Sequence, residues 1–208
     1  MSYENIIVET HGKVGLIRLN MNSKEEIMLP EQTSFVVESC AAGIAAGESN
    51  GVIRLRNLDD GSERDASRPT SSGARPFNPV VSRDGSLIAF FDRTGAKDLV
   101  LRVVAARGGD AREIARVPDY ADPLTRARNQ ISWSPDGRFV YFCRVDQNGM
   151  AETFRVAIAG GTPTSTGYKG PGAVDIDISP DGRHIISRWG HENQPAISAI
   201  ENFLPPGK

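Results

Sequence analysis

The sequence predicts an all-β chain folded as a small β-propeller, with four blades of four antiparallel strands and the last blade closed by the N-terminal strand. Three observations predict it. The motif Ser134-Pro135-Asp136-Gly137-Arg138 returns as Ser179-Pro180-Asp181-Gly182-Arg183 and, with arginine in place of proline, as Ser82-Arg83-Asp84-Gly85-Ser86. Each copy lies between two short apolar runs and is the tip of a hairpin: proline presets φ, serine accepts a backbone hydrogen bond and glycine closes the turn. Asp84 to Asp136 is 52 residues and Asp136 to Asp181 is 45, close to the length of a propeller blade. The runs after the first two turns, residues 87–91 and 139–143, are apolar on successive residues. Both faces of such strands are buried, as when sheets stack radially against one another. No stretch of comparable length carries a 3.6-residue period, so helix content is low.

In chain order, residues 5–10 and 14–20 are two β-rich runs around His11-Gly12-Lys13 and form a hairpin. Residues 34–38 and 52–56 read as paired strands, and the small-residue stretch between them, with Gly43, Gly47 and Gly51, as a flexible connection. A phosphate-cradling loop is excluded there, because Gly47-Glu48-Ser49 puts an anion where phosphate charge must be neutralised. Asp59-Asp60-Gly61-Ser62 is a turn, and residues 67–76 are a polar linker.

The three marked repeats follow. Residues 79–81, 131–133 and 176–178 precede the turns, and residues 99–104, 153–158 and 196–200 supply third runs. Gly108-Gly109 and Gly160-Gly161 then introduce short fourth runs in the first two repeats. The blades are therefore expected at about 14–67, 77–116, 130–166 and 174–203 within one domain. The last has room for only three strands before Pro205-Pro206. Residues 6–10 are expected to supply its outer strand, closing the ring and removing an exposed edge. The competing arrangement is an incomplete ring completed by a second copy, so the expected state is a monomer or a ring-completing homodimer.

The chain of 208 residues is 39% apolar and 24% charged, with a formal net charge of −2. That balance argues against nucleic acid as a partner. Cys40 and Cys143 are the only cysteines and no CxxC occurs, which excludes a zinc site or a disulfide scaffold. The N-terminus lacks a basic leader with an apolar core, and no run approaches membrane-spanning length. As given, the chain reads as soluble and cytoplasmic, or periplasmic if a leader has been removed.

Little catalytic chemistry is legible. His11, His184 and His191 are scattered, and no Gly-x-Ser-x-Gly elbow exists. Asp84, Asp136 and Asp181 are accounted for by their turns. Asp175 and Asp177 are the best polar pair, since period-two spacing puts them on one face of a strand. With Ser132 they are the candidate channel-facing binding residues. The stretch from Asp175 to Gly182 departs from a calcium loop, with glycine at the eighth position and Ile186 where a bidentate glutamate is needed. No metal, cofactor or catalytic residue is expected.

Two family resemblances follow from these residues. The Ser-Pro-Asp-Gly-Arg-Phe-Val-Tyr-Phe run from Ser134, with its Gly-Gly-Thr-Pro at Gly160, resembles the WD40-like (PD40) repeat of TolB-type β-propellers, over about residues 31–204. That resemblance implies a protein- or peptide-binding module without catalysis. The first 20 residues resemble the N-terminal hairpin of the enoyl-CoA hydratase (crotonase) family, a structural element that carries over no catalytic residue. An enzyme, either a hydrolase-associated propeller or a hydratase relative, is the alternative.

Overall fold

The computed structural model describes residues 6–11, 14–19, 38–67, 75–94, 98–118, 131–146, 150–171, 175–189 and 196–201. Every regular element among them is a β-strand, and no helix there is long and apolar enough to cross a membrane. The chain divides into two compact units, residues 1–33 and 34–208. The first holds an antiparallel hairpin of β1 (Ile6–His11) and β2 (Val14–Leu19), with Ile6 opposite Leu19 and His11 opposite Val14.

The second unit is a series of antiparallel meanders. Blade 1 is β3 (Ser39–Ala41), β4 (Ile44–Ser49), β5 (Val52–Asn57) and β6 (Glu63–Ser67). Blade 2 is β7 (Arg75–Val81), β8 (Leu87–Arg93), β9 (Asp98–Ala105) and β10 (Arg112–Pro118). Blade 3 is β11 (Ile131–Trp133), β12 (Phe139–Val145), β13 (Met150–Ala157) and β14 (Thr164–Pro171). Blade 4 has three described strands, β15 (Asp175–Ile178), β16 (His184–Trp189) and β17 (Ala196–Glu201).

Blade 1 differs from its sequence reading. Residues 14–19 pair with β1, and residues 35–37 lie outside the described residues. The stretch read as a flexible connection instead supplies β4 and two tight turns. Ala42 and Gly43 have φ of 49° and 74°, and Asn50 and Gly51 have 54° and 79°. Two successive positive φ values make the type I′ turn that matches strand twist. The small side chains between those turns are packed: Ala45 and Ala46 are fully buried.

The repeated motif folds as its composition demands. In blade 3 the Gly137 N–H donates to the Ser134 carbonyl at 2.9 Å. The Ser134 hydroxyl donates to Asp136 Oδ1 at 2.6 Å and accepts from the Phe139 N–H at 2.9 Å, while the Arg138 N–H donates to Asp136 at 3.0 Å. Blades 2 and 4 repeat the serine–aspartate bond at 2.6 and 2.5 Å. The hairpin tips also meet across blades. A Cβ on Gly85 would stand 2.9 Å from Ala42 Cβ, and one on Gly182 would stand 3.4 Å from Pro135 Cγ.

Radial stacking explains the unbroken apolar runs. In β8, Ile88 and Phe90 face the core shared with blade 1, while Ala89 and Phe91 face the core shared with blade 3. In β12, Val140 and Phe142 join that blade 2–3 core, and Tyr141 and Cys143 pack with Ile176, Ile178 and Ile185 of blade 4. Alternation puts successive residues on opposite faces, and both faces are dry. Each valine, isoleucine or phenylalanine among them contributes about 1.5–3 kcal/mol by burial.

Candidate functional site: the inner wall of the blades

The first strands of the blades, β3, β7, β11 and β15, lie beside one another in that order, each touching the next. A first strand pairs on one edge with its own blade, so its other edge leaves N–H and C=O groups to be satisfied. Neighbouring blades satisfy them with side chains. Ser39 Oγ accepts from the Val81 N–H at 3.1 Å, which ties β3 to β7. The Trp133 indole N–H donates to the Val80 carbonyl at 2.9 Å, which ties β11 to β7.

Ser132 and Asp177 meet at the next seam. The Ser132 hydroxyl donates to Asp177 Oδ1 at 2.9 Å, and the Ile178 N–H donates to the same oxygen at 2.8 Å, with Ser132 Oγ a further 3.3 Å acceptor. Ser132 is buried and Asp177 exposed, so the hydroxyl holds one oxygen of a carboxylate on a solvent-exposed residue. Such a carboxylate can accept from an ammonium, a guanidinium or a peptide N–H at little cost in its own ordering. Asp175 stands two residues earlier on β15, opposite Arg188 in register.

Arg83 completes this corner. Its Nη2 donates to the Ile178 carbonyl at 3.0 Å, so the arginine of blade 2 reaches past blade 3 to blade 4. Sequence reasoning treated Arg83 only as a departure from proline. Nothing local marks its acceptor, because this turn position accepts most residues and the carbonyl lies 95 residues away.

The turn aspartates are engaged within their own turns. The Ser82 hydroxyl, followed by the Ser86 N–H and hydroxyl, holds Asp84 down to about 2. Hydrogen bonds from Ser134 and Ser179 hold Asp136 and Asp181 below the usual carboxylate range in the same way. Among the described residues no group of three or more His, Cys, Asp or Glu side chains is placed to hold a metal ion.

This arrangement of blades matches known structures. A putative TolB from Agrobacterium tumefaciens superposes with a TM-score of 0.61 at 21% identity, over 82% of this chain and 60% of that one. The chain has the fold of a TolB-type β-propeller. TolB from Acinetobacter baumannii also gives 0.61, at 16% identity, over 79% of this chain and 40% of its own. A structure from an analysis of two prolyl endopeptidases gives 0.51 at 15% identity, over 78% and 28%. The chain thus spans about 60% or less of the length of each of these proteins. No protein-family profile matches it, and no curated protein does. The hydratase resemblance of the first 20 residues has no counterpart among these three structures.

Proposed function

We propose that this chain is a non-catalytic TolB-like binding module that takes a protein or peptide partner on the inner wall of its blades. One observation carries the reading: Asp177 is exposed on a first strand, with one carboxylate oxygen fixed by Ser132 and the Ile178 N–H. The exposed Asp177 carboxylate, with a second aspartate two residues earlier in the sequence, suits a basic or amide-rich peptide. Rigid scaffolds that present a few polar groups support recognition of this kind. An array of short peptides graded in lysine and arginine content tests it. Retention should rise with basic content and fall roughly tenfold in Asp177→Asn, as expected for a lost charge-assisted hydrogen bond. Retention independent of both would end the proposal.

The prolyl endopeptidase match supports a second reading, a propeller that accompanies a hydrolase domain. That match is one of fold and brings no catalytic residue to this chain. Ester hydrolysis or crotonyl-CoA hydration by the purified chain would favour an enzyme over the binding module.

A further inference from the structure

The hairpin tip between β4 and β5 brings a nucleophile, an electrophile and a base together within residues 48–51. Ser49 pairs with Val52, and between them Asn50 and Gly51 turn with φ of 54° and 79°. Asn50 is exposed, and its Nδ2 donates to Ser49 Oγ at 3.5 Å. The Gly51 N–H donates to Glu48 Oε1 at 2.6 Å. Glu48 is half-buried, and its own N–H donates to Glu38 Oε1 at 3.3 Å. The backbone nitrogen that follows an asparagine can close a cyclic imide on the side-chain carbonyl carbon, once its proton is removed. A carboxylate already bonded to that hydrogen is placed to take it. Glycine suits the attack because it has no side chain to crowd its nitrogen.

The Asp-Gly turns of the same chain are built differently. In Asp84-Gly85, Asp136-Gly137 and Asp181-Gly182 the glycine N–H donates to a serine carbonyl at 2.8, 2.9 and 2.9 Å, and in Asp60-Gly61 to the Asn57 carbonyl at 3.0 Å. A carbonyl oxygen is a feeble base. Each of these aspartates instead accepts the N–H two residues further on. An ionised carboxylate resists a nucleophile, because its carbon already shares a negative charge. Among the described turns, Asn50-Gly51 combines a neutral carboxamide with a carboxylate held on the attacking nitrogen.

We propose that Asn50 is a site of self-modification, converted through a cyclic imide to aspartate and isoaspartate with Glu48 as the base. The Gly51 nitrogen bonds to Asn50 Cγ as its proton passes to Glu48. The Cγ–Nδ2 bond then breaks, and ammonia leaves with that proton, restoring the Glu48 carboxylate. Water opens the imide at either carbonyl, so the net change is amide plus water to acid plus ammonia. The isoaspartate product adds a carbon to the main chain inside a two-residue turn, and either product adds a charge beside Glu48. The pairing of Ser49 with Val52, next to buried Ile53, is what the modification disturbs.

The test incubates the full chain at neutral pH and maps its tryptic peptides by mass spectrometry, with fragmentation that separates isoaspartate from aspartate. Asn148-Gly149, which lies outside the described residues, is the comparator, because residues 25–54 and 145–155 fall in different tryptic peptides. Glu48→Gln keeps an oxygen for the Gly51 N–H and removes the base. Conversion at Asn50 should slow about tenfold or more in that variant, the loss of a positioned proton acceptor, with Asn148 at the parent rate. An unchanged rate at Asn50 in Glu48→Gln would overturn the proposal, as would equal slowing at both asparagines. Faster conversion at Asn50 in Glu48→Ala would also overturn it, since the Glu48 bond would then protect the turn rather than drive its chemistry.

Discussion

Replacing Phe142 by alanine perturbs the stacked blades where the most depends on them. Phe142 lies on β12, is 1% exposed and belongs to the core between blades 2 and 3. Its ring meets Phe91 of blade 2 edge-on with centroids 6.1 Å apart, and stacks on Phe154 of its own blade at 5.9 Å. Truncating a buried phenylalanine costs about 3–5 kcal/mol, through lost transfer energy and the cavity left behind. Specific aromatic geometry adds about 0.5–1.5 kcal/mol for a pair. A domain holds about 5–15 kcal/mol in total, so Phe142→Ala should remove a large share of the stability. Urea titration followed by tryptophan fluorescence measures it, since Trp133 sits in the same core. The midpoint should fall sharply with the slope unchanged. Met150, which is 41% exposed, is the control, and its alanine variant should stay within about 0.5 kcal/mol of the parent. A loss below about 1 kcal/mol for Phe142→Ala would refute radial stacking as the source of stability, because a face open to water would lose little on truncation.

Three further outcomes follow from the turns and the ends of the chain. Gly85→Ala should cost more than Gly137→Ala. Both glycines have positive φ, 72° and 67°, at a cost of about 1–2 kcal/mol for an L residue, but only at Gly85 would the new Cβ also strike Ala42; equal thermal shifts would contradict the tip-to-tip packing. The aspartate of each motif turn titrates low when folded, so its stabilisation is complete above the unfolded value of 3.8 and is lost as pH falls through the folded one, about 2 for Asp84. Denaturation midpoints should drop across that acid window, and Asp84→Asn should flatten the drop. On the proposal that residues 6–10 complete the fourth blade, deleting residues 1–12 should lower the melting transition markedly, and an unchanged transition would sink it; light scattering of the parent chain separates a monomer from a ring-completing pair.

Much of the fold was legible because its punctuation is chemical. The Ser-Pro-Asp-Gly turns are specified by their own side chains, and the runs at β8 and β12 announce two buried faces by lacking alternation. Blade 1 was misread because Ala45, Ala46 and Gly47 resemble a loop by composition, although packing makes them a strand. Asn50-Gly51 was the local signal of a tight hairpin. Of the candidate site, the pairing of Ser132 with Asp177 joins residues 45 positions apart, and period-two spacing identified only the strand face. Arg83 binds a carbonyl 95 residues away. The apolar runs signal that blades stack, but which polar residues the stacking brings together is a long-range outcome that no local pattern encodes.

The central functional claim is that the inner-wall carboxylate of Asp177 touches the partner. Zero-length carbodiimide coupling of a bound lysine-containing peptide, mapped by mass spectrometry, tests it directly. The account predicts an amide bond between the peptide lysine and Asp177, lost in Asp177→Asn. Coupling confined to carboxylates of the outer strands, such as Asp65 or Glu113, would contradict it.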